Sequence, residues 1–524
     1  MKTLLTATAL LLITTISLPA QSLTYTESNA IGTLNPYLYP ETSGNANRVF
    51  SLIYERLFRY DYNQEEYVAE LARSFEELED NTYRIELRND VFWHGEDQQR
   101  FTSRDVVFTY NYIMNRANFA QLRNWFRNSI VNVTASGEYA VTFQFANDVS
   151  DFQMLLDTWI IPSHLFNTDT FEPIDPRRNI AQNPVGTGKY KFASRRSGVI
   201  EFEVNNRHYL SDPAIRVVQN ERIPDVDSRI NRLLTGQSDL LVRVPAASIP
   251  ELEANQLVLQ PYQTYTITAI GFNFENSILS DRRIRHAITF GTDRGQILET
   301  WYDNRGHLLA GPFTRNSAQI NSELQPYAFN PEMARQLLRQ AGFTDSGNDG
   351  ILRNSNGQRL EFNMLVRVFD GSADQTQQNV IREFQRMMQS IGIRINIESR
   401  IEDVYLNDRQ NGNFDLIYTN LTFDPNYDIR PFFHSDEIGA DDTFNFIGYS
   451  NSEIDMLFDR ALRETDDARR RQHINRIQTV LSEDAPYMFM FSVNNHAAHH
   501  MRFVNVNIDP MHFFTNLDQW RIAN

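Results

Sequence analysis

Three histidines lie close together near the C-terminus, at His496, His499 and His500. Neutral imidazoles at such spacing can ligate a transition metal. On a strand, however, His496 and His500 share one face and His499 takes the other, because side chains alternate. The set is split, and no metal site is expected there. Asp345, Asn348 and Asp349, set among Ser346, Gly347 and Gly350, carry part of the pattern of a calcium loop. The closing Glu is missing at the required spacing, so a Gly/Asp turn is expected instead. Hydrolytic chemistry fares no better. There is no Gly-x-Ser-x-Gly elbow and no His-Glu-x-x-His, and no spacing singles out a carboxylate pair for glycoside cleavage. The chain has no Cys, which removes thiolate catalysis, disulfides and Cys-based zinc sites. No catalytic residue, metal or cofactor is expected, and the competing class of a secreted hydrolase has no motif to stand on.

What remains is binding chemistry. Thr42, Ser43 and Gly44 combine small hydroxyls with a residue that lets a ligand approach the backbone. They also suit a capped loop entering a helix. Asp424 precedes Pro425, which is common turn chemistry, yet a buried aspartate is equally the counter-charge a desolvated cation needs. Phe (36) and Tyr (22) are abundant, which suits both a large core and an aromatic-lined pocket.

Such residues must be held by elements. Thr82–Leu87 alternates as a strand should. Thr102 or Ser103 caps a helix with Asp105 in its first turn. Asn330 and Pro331 open another, which ends at Gly342. Gln377 to Ile391 is amphipathic, stops at Gly392, and is followed by the alternating run Ile393–Ile397. Gly186 and Gly188 flank a turn before a strand, where positive φ is expected. Helix followed by strand, recurring, is an α/β pattern. A chain of 524 residues needs two or three domains. The net charge of −17 disfavours nucleic acid and anionic membrane surfaces as partners. Lys2, the apolar run Leu4–Ile16 and small residues to Ser22 read as a signal peptide cleaved after Ala20 or Ser22. That run is short of the roughly 20 residues that cross a bilayer.

Five blocks, in order, resemble the family 5 extracellular solute-binding proteins, the group of dipeptide, oligopeptide and nickel binders. They are Leu34-Asn35-Pro36, Ile53–Phe58, Leu71–Phe108 with Trp93-His94-Gly95, Asn183–Tyr190, and Gly271–Phe274 with Asp281–Ile288. The resemblance implies an α/β, two-lobed periplasmic-binding-protein fold with a hinge and an extra inserted domain. Signal peptide 1–22 would be followed by a discontinuous first lobe (23–49, 186–270 and 495–524), an inserted domain (50–185) and a second lobe (271–494). It implies an oligopeptide, an oligosaccharide or a metal chelate as ligand, with oligopeptide leading. It also implies delivery to an ABC permease of the inner membrane, periplasmic location, no membrane insertion and a monomer. Ligand contacts would come from Thr42, Ser43, Gly44, Tyr418, Asn420 and Asp424. In the peptide binders the segment matching Phe414–Pro425 carries an aromatic and an aspartate that pairs with the α-ammonium. Counting forward from Phe414 puts Asp424 at that position. Counting back from Pro425 puts Leu421 there and Tyr418 at the aromatic.

Overall fold

The computed structural model describes residues 21–38, 44–61, 64, 66–79, 81–95, 99–116, 126–127, 129–146, 152–210, 212–262, 265–315, 317, 319–344, 347–368, 375–423, 429–439, 444–464, 466–509 and 512–523. The strands in chain order are β1 (Ser22–Glu27), β2 (Phe58–Asp61), β3 (Glu66–Ala69), β4 (Ala72–Glu79), β5 (Thr82–Leu87), β6 (Ile130–Gly137) and β7 (Ala140–Phe145). There follow β8 (Tyr190–Arg196), β9 (Val199–Val204), β10 (Val217–Arg222), β11 (Leu240–Leu241), β12 (Val258–Tyr262), β13 (Thr266–Phe272) and β14 (Gly306–Leu308). The last are β15 (Glu361–Arg367), β16 (Arg394–Arg400), β17 (Leu416–Thr422), β18 (Tyr487–Val493), β19 (Asn495–His499), β20 (Phe503–Val504) and β21 (Arg521–Ile522).

Two large sheets organise the chain. The first has seven strands in the order β12-β19-β11-β1-β10-β9-β8. The second has six, in the order β14-β18-β13-β17-β15-β16. Both are mixed, with parallel pairs at their centres or edges (β1 with β10 and β11; β15 with β16 and β17). Central strands such as β13 (TITAIGF) and β18 (YMFMFSV) read as near-continuous apolar runs because helices cover both faces. Separate apolar clusters lie on the two faces of the second sheet, one around Ile270, Leu416 and Met488, the other around Ile267, Ile417 and Tyr487.

A third sheet, β4-β5-β7-β6, is built wholly from the segment between β1 and β8. It shares one continuous core with the first large sheet, since Ile85, Val141 and Phe143 cluster with Leu23, Tyr25 and Phe202. Its helix, Ser103–Arg116, is fixed by Asp105. That carboxylate accepts from Thr102 N–H (2.9 Å), Trp93 Nε1–H (3.2 Å), and Ser163 N–H (2.9 Å) and Oγ–H (2.6 Å).

The helix start expected at Asn330 is present and another stands at Asp281, within the fifth block, each side chain accepting an N–H two or three residues on. Ile284, Ala287 and Ile288 are fully buried below the second cap. The amphipathic run spans Gln375–Ser390 and ends before Gly392 at φ +89°. The expectation for Gly186 and Gly188 needs correction, because neither adopts positive φ. The constraint is space: a Cβ at Gly186 would lie 1.9 Å from the Ile53 carbonyl oxygen, and one at Gly188 2.6 Å from that of Leu52. Backbone meets backbone there, and Gly188 N–H donates to Ile53 O at 2.8 Å.

Candidate functional site

The two large sheets are joined by two chain crossings, from Tyr262 at the end of β12 to Thr266 at the start of β13, and from Val493 to Asn495. Ser492 Oγ–H donates to Thr266 O at 3.1 Å, joining the residues that flank the two crossings, and Asn494 N–H donates to Arg305 O beside β14 at 3.0 Å. On the first sheet, the carboxyl ends of the parallel strands β1, β10 and β11 lie at this junction. Crevices outside such strand ends are where open α/β sheets bind ligands. On the second sheet, the start of β13 and the ends of β17 and β18 lie there.

The face of the second sheet changes character as it approaches the junction. Ile270, Phe272, Leu416 and Tyr418 point into one apolar cluster. Two residues further along the same face come Thr268 and Asn420, whose side chains are joined by a 3.1 Å hydrogen bond from the Thr hydroxyl. Two further come the Thr266 and Thr422 hydroxyls, 3.0 Å apart. Asn420 is exposed, so its amide nitrogen is open to the junction.

On the first sheet a charge pair stands at the corresponding place. Glu27, the last residue of β1, accepts from Arg48 Nε at 2.5 Å, with side chains 6% and 15% exposed. Arg48 lies on α1 (Gly44–Ile53), whose first half is tied to the strand end by Asn45 donating to Asn29 O at 3.5 Å. Burial works against the guanidinium charge, but Glu27 outweighs it and holds Arg48 more firmly protonated than usual. Arg48 lies 5.6 Å over the Phe513 ring, and Phe513 meets Tyr262 edge-on at 5.4 Å. Sequence reasoning missed this pair. Its members are 21 positions apart and are brought together only by the fold.

Of the residues expected to bind ligand, Thr42, Ser43 and Asp424 lie outside the described residues. Gly44 opens α1, is exposed, and its Cβ position would sit 3.4 Å from Arg48 Nη1. Tyr418 is 6% exposed and packs in the apolar layer, while Asn420 stands on the open continuation of that layer. The structure thus brings Gly44 to the first side of the junction and Asn420 to the second.

Other features do not form a site. A depression of about 320 Å³ lies at the far end of the second sheet, lined by Asn273, Glu275, Asn276 and Asp415. Its groups serve each other: Asp415 accepts from Asn276 (2.7 Å) and Asn363 N–H (2.8 Å), and Asn273 donates to the Gly412 and Phe414 carbonyls. Asp349 of the calcium-like turn is taken by Arg353 and Arg359, at 3.1 and 2.8 Å. His499 is buried, with Nδ1 against His500 O at 3.0 Å. Among the described residues no group of three metal-capable side chains converges, and no helix is long and apolar enough to cross a membrane.

Comparison with known proteins gives this geometry a context. Residues 66–440 match the model of the bacterial extracellular solute-binding proteins, family 5 (middle region). The oligopeptide-binding protein AppA of Bacillus subtilis is 25% identical over 468 residues, covering 86% of this chain and 83% of the relative. The structure of that protein with a nonapeptide superposes with a TM-score of 0.81 at 24% identity, covering 96% of this chain and 99% of the other. NikA from Brucella suis, in complex with Fe(III)-EDTA, gives 0.84 at 21% identity, covering 96% and 100%. The two-lobed fold is shared with these neighbours.

Proposed function

Because the chain belongs to the family 5 bacterial extracellular solute-binding proteins, we propose that it captures a small solute between its two sheets and hands it to an ABC permease, without converting it. The observation that carries this reading is the presence of polar groups at the strand ends on either side of two chain crossings. Closure of the lobes about those crossings would bury the solute against both. An oligopeptide is the leading ligand, supported by the likeness to the oligopeptide-binding relative. An oligosaccharide or a metal chelate is the alternative.

In this reading Gly44, Asn420 and their neighbours Thr42, Ser43 and Asp424 contact the solute, and Tyr418 supports Asn420 from the layer beneath. The expected lobe break between 270 and 271 would split β13, so the proposed break moves to the Tyr262–Thr266 crossing: the first lobe takes 23–49, 186–262 and 495–524, the inserted domain 50–185 and the second lobe 266–494. The mature protein works as a periplasmic monomer after its signal peptide is removed. Native mass spectrometry of protein purified from a Gram-negative host tests the reading. A retained solute of unchanged mass supports it. Product formation on incubation with that solute overturns it in favour of a hydrolase.

A further inference from the structure

Arg48 is arranged as a fork aimed at an anion. Its Nε is committed to Glu27, which fixes the guanidinium plane. Neither terminal nitrogen donates a hydrogen bond among the described residues. Those two nitrogens are the edge that matches a carboxylate in bidentate fashion. They point back along α1 toward Gly44, where a Cβ would lie 3.4 Å from Nη1, so a larger residue there would crowd the fork. Phe513 lies beneath the guanidinium at 5.6 Å, and Tyr262 beside Phe513 has its hydroxyl committed to the Val242 carbonyl at 2.7 Å. The walls are therefore occupied, and the open edge of Arg48 is the available donor.

The surrounding charge points the same way. The carboxyl ends of β10 and β11 carry Arg222 and Arg243, both exposed. Arg229, on the helix that follows β10, donates to the Ile223 and Pro224 carbonyls, each at 2.7 Å. Against these stand the buried Glu27, already paired, and Asp225 and Asp227, exposed at the start of that helix, where Asp225 caps Ser228 N–H. With Arg48 counted, four arginines stand against three acids at this end of the sheet, and the Arg232–Glu221 pair adds one of each, in a chain whose net charge is −17. Such a local excess concentrates anionic groups. A buried ion pair costs desolvation and is weak evidence for stability, and the bond from Nε to Glu27 leaves the guanidinium held in one orientation.

We propose that Arg48, oriented by Glu27, binds an anionic group of the captured solute, which for a peptide is the α-carboxylate. This rests on the solute-capture reading above and deepens it. The test uses a pool of random tripeptides as free acids and the same pool C-terminally amidated, read by calorimetry and thermal shift. The wild type should bind the amidated pool about tenfold or more weakly than the acid pool. Arg48→Gln should bind both alike, at the amide level, and Arg48→Lys should keep part of the preference. The double variant Glu27→Gln/Arg48→Gln leaves no unpaired buried charge, and covers the case in which Arg48→Gln does not fold. It too should lose the preference. Equal binding of both pools by the wild type, or a preference that survives in either glutamine variant, overturns the assignment and leaves solute capture standing. Failure of the wild type to bind either pool contradicts the peptide reading, and the assignment falls with it.

Discussion

Asn420 and Tyr418 show how two residues on one face of one strand part in role. Both follow Leu416 by even steps, so alternation places all three together. Tyr418 is still under the covering layer and Asn420 is beyond it. Asn420→Ala should lower solute affinity by about tenfold through loss of one polar contact and its Thr268 tie, with the unliganded melting temperature nearly unchanged. Calorimetry with the retained solute checks this. His94 works at the same scale. It is 8% exposed and joins Gly188 O (2.9 Å) to Gly186 N–H (3.3 Å). Burial lowers its pKa to about 4. The unfolded chain takes up a proton near the ordinary value of about 6.5 and the folded chain does not. Stability from this group is therefore full above about pH 6.5 and falls as pH drops toward 4, by up to ~3 kcal/mol. His94→Gln should flatten the loss of stability between pH 7 and pH 4.5 in denaturant titrations. An unchanged slope would count against it. The Asn420 polarity was readable in the sequence, but the place where the covering layer stops was not.

At the scale of elements, caps and turns were the legible part. Asn330, Asp281 and Gly392 punctuate helices by local chemistry alone. The Gly186-Thr-Gly188 turn was legible as a turn but for the wrong reason, since contact with the end of α1 is a tertiary fact. Gly186→Ala should therefore destabilise by about 3 kcal/mol or more, as overpacking against backbone cannot relax by rotamer change. Chemical denaturation reads it, and a cost under about 1 kcal/mol would contradict the close approach. For the proposed removal of the leader, the first strand distinguishes the two expected cleavage points. Gln21 O accepts from Arg216 N–H (2.6 Å) and Val217 N–H (3.2 Å), and Ser22 pairs with Val217. Cleavage after Ala20 keeps these bonds and cleavage after Ser22 removes them. N-terminal sequencing of the mature protein should begin at Gln21, and a start at Leu23 would refute this.

The whole molecule was legible as an ordered set of family blocks and not as a cleft. Those blocks build scaffold: Asp105 ties its helix to Ser163 within the segment between β1 and β8, His94 and the two glycines join that segment to the lead-in of β8, and Asp281 and Gly271 shape the second sheet and its helix. The polar groups beside the crossings come from five separate stretches of chain, at Glu27, Arg48, Tyr262–Thr268, Asn420–Thr422 and Ser492–Asn494. No local pattern unites them. The proposal that they serve one solute site predicts that solute holds the two lobes together. Small-angle scattering on the protein with the free-acid peptide pool, followed by native mass spectrometry of the same sample, tests this most directly. The account predicts a smaller radius of gyration on addition of solute and a one-to-one complex in which the bound mass is unaltered. A radius of gyration that does not change when solute binds, or peptide fragments in place of intact solute, would contradict it.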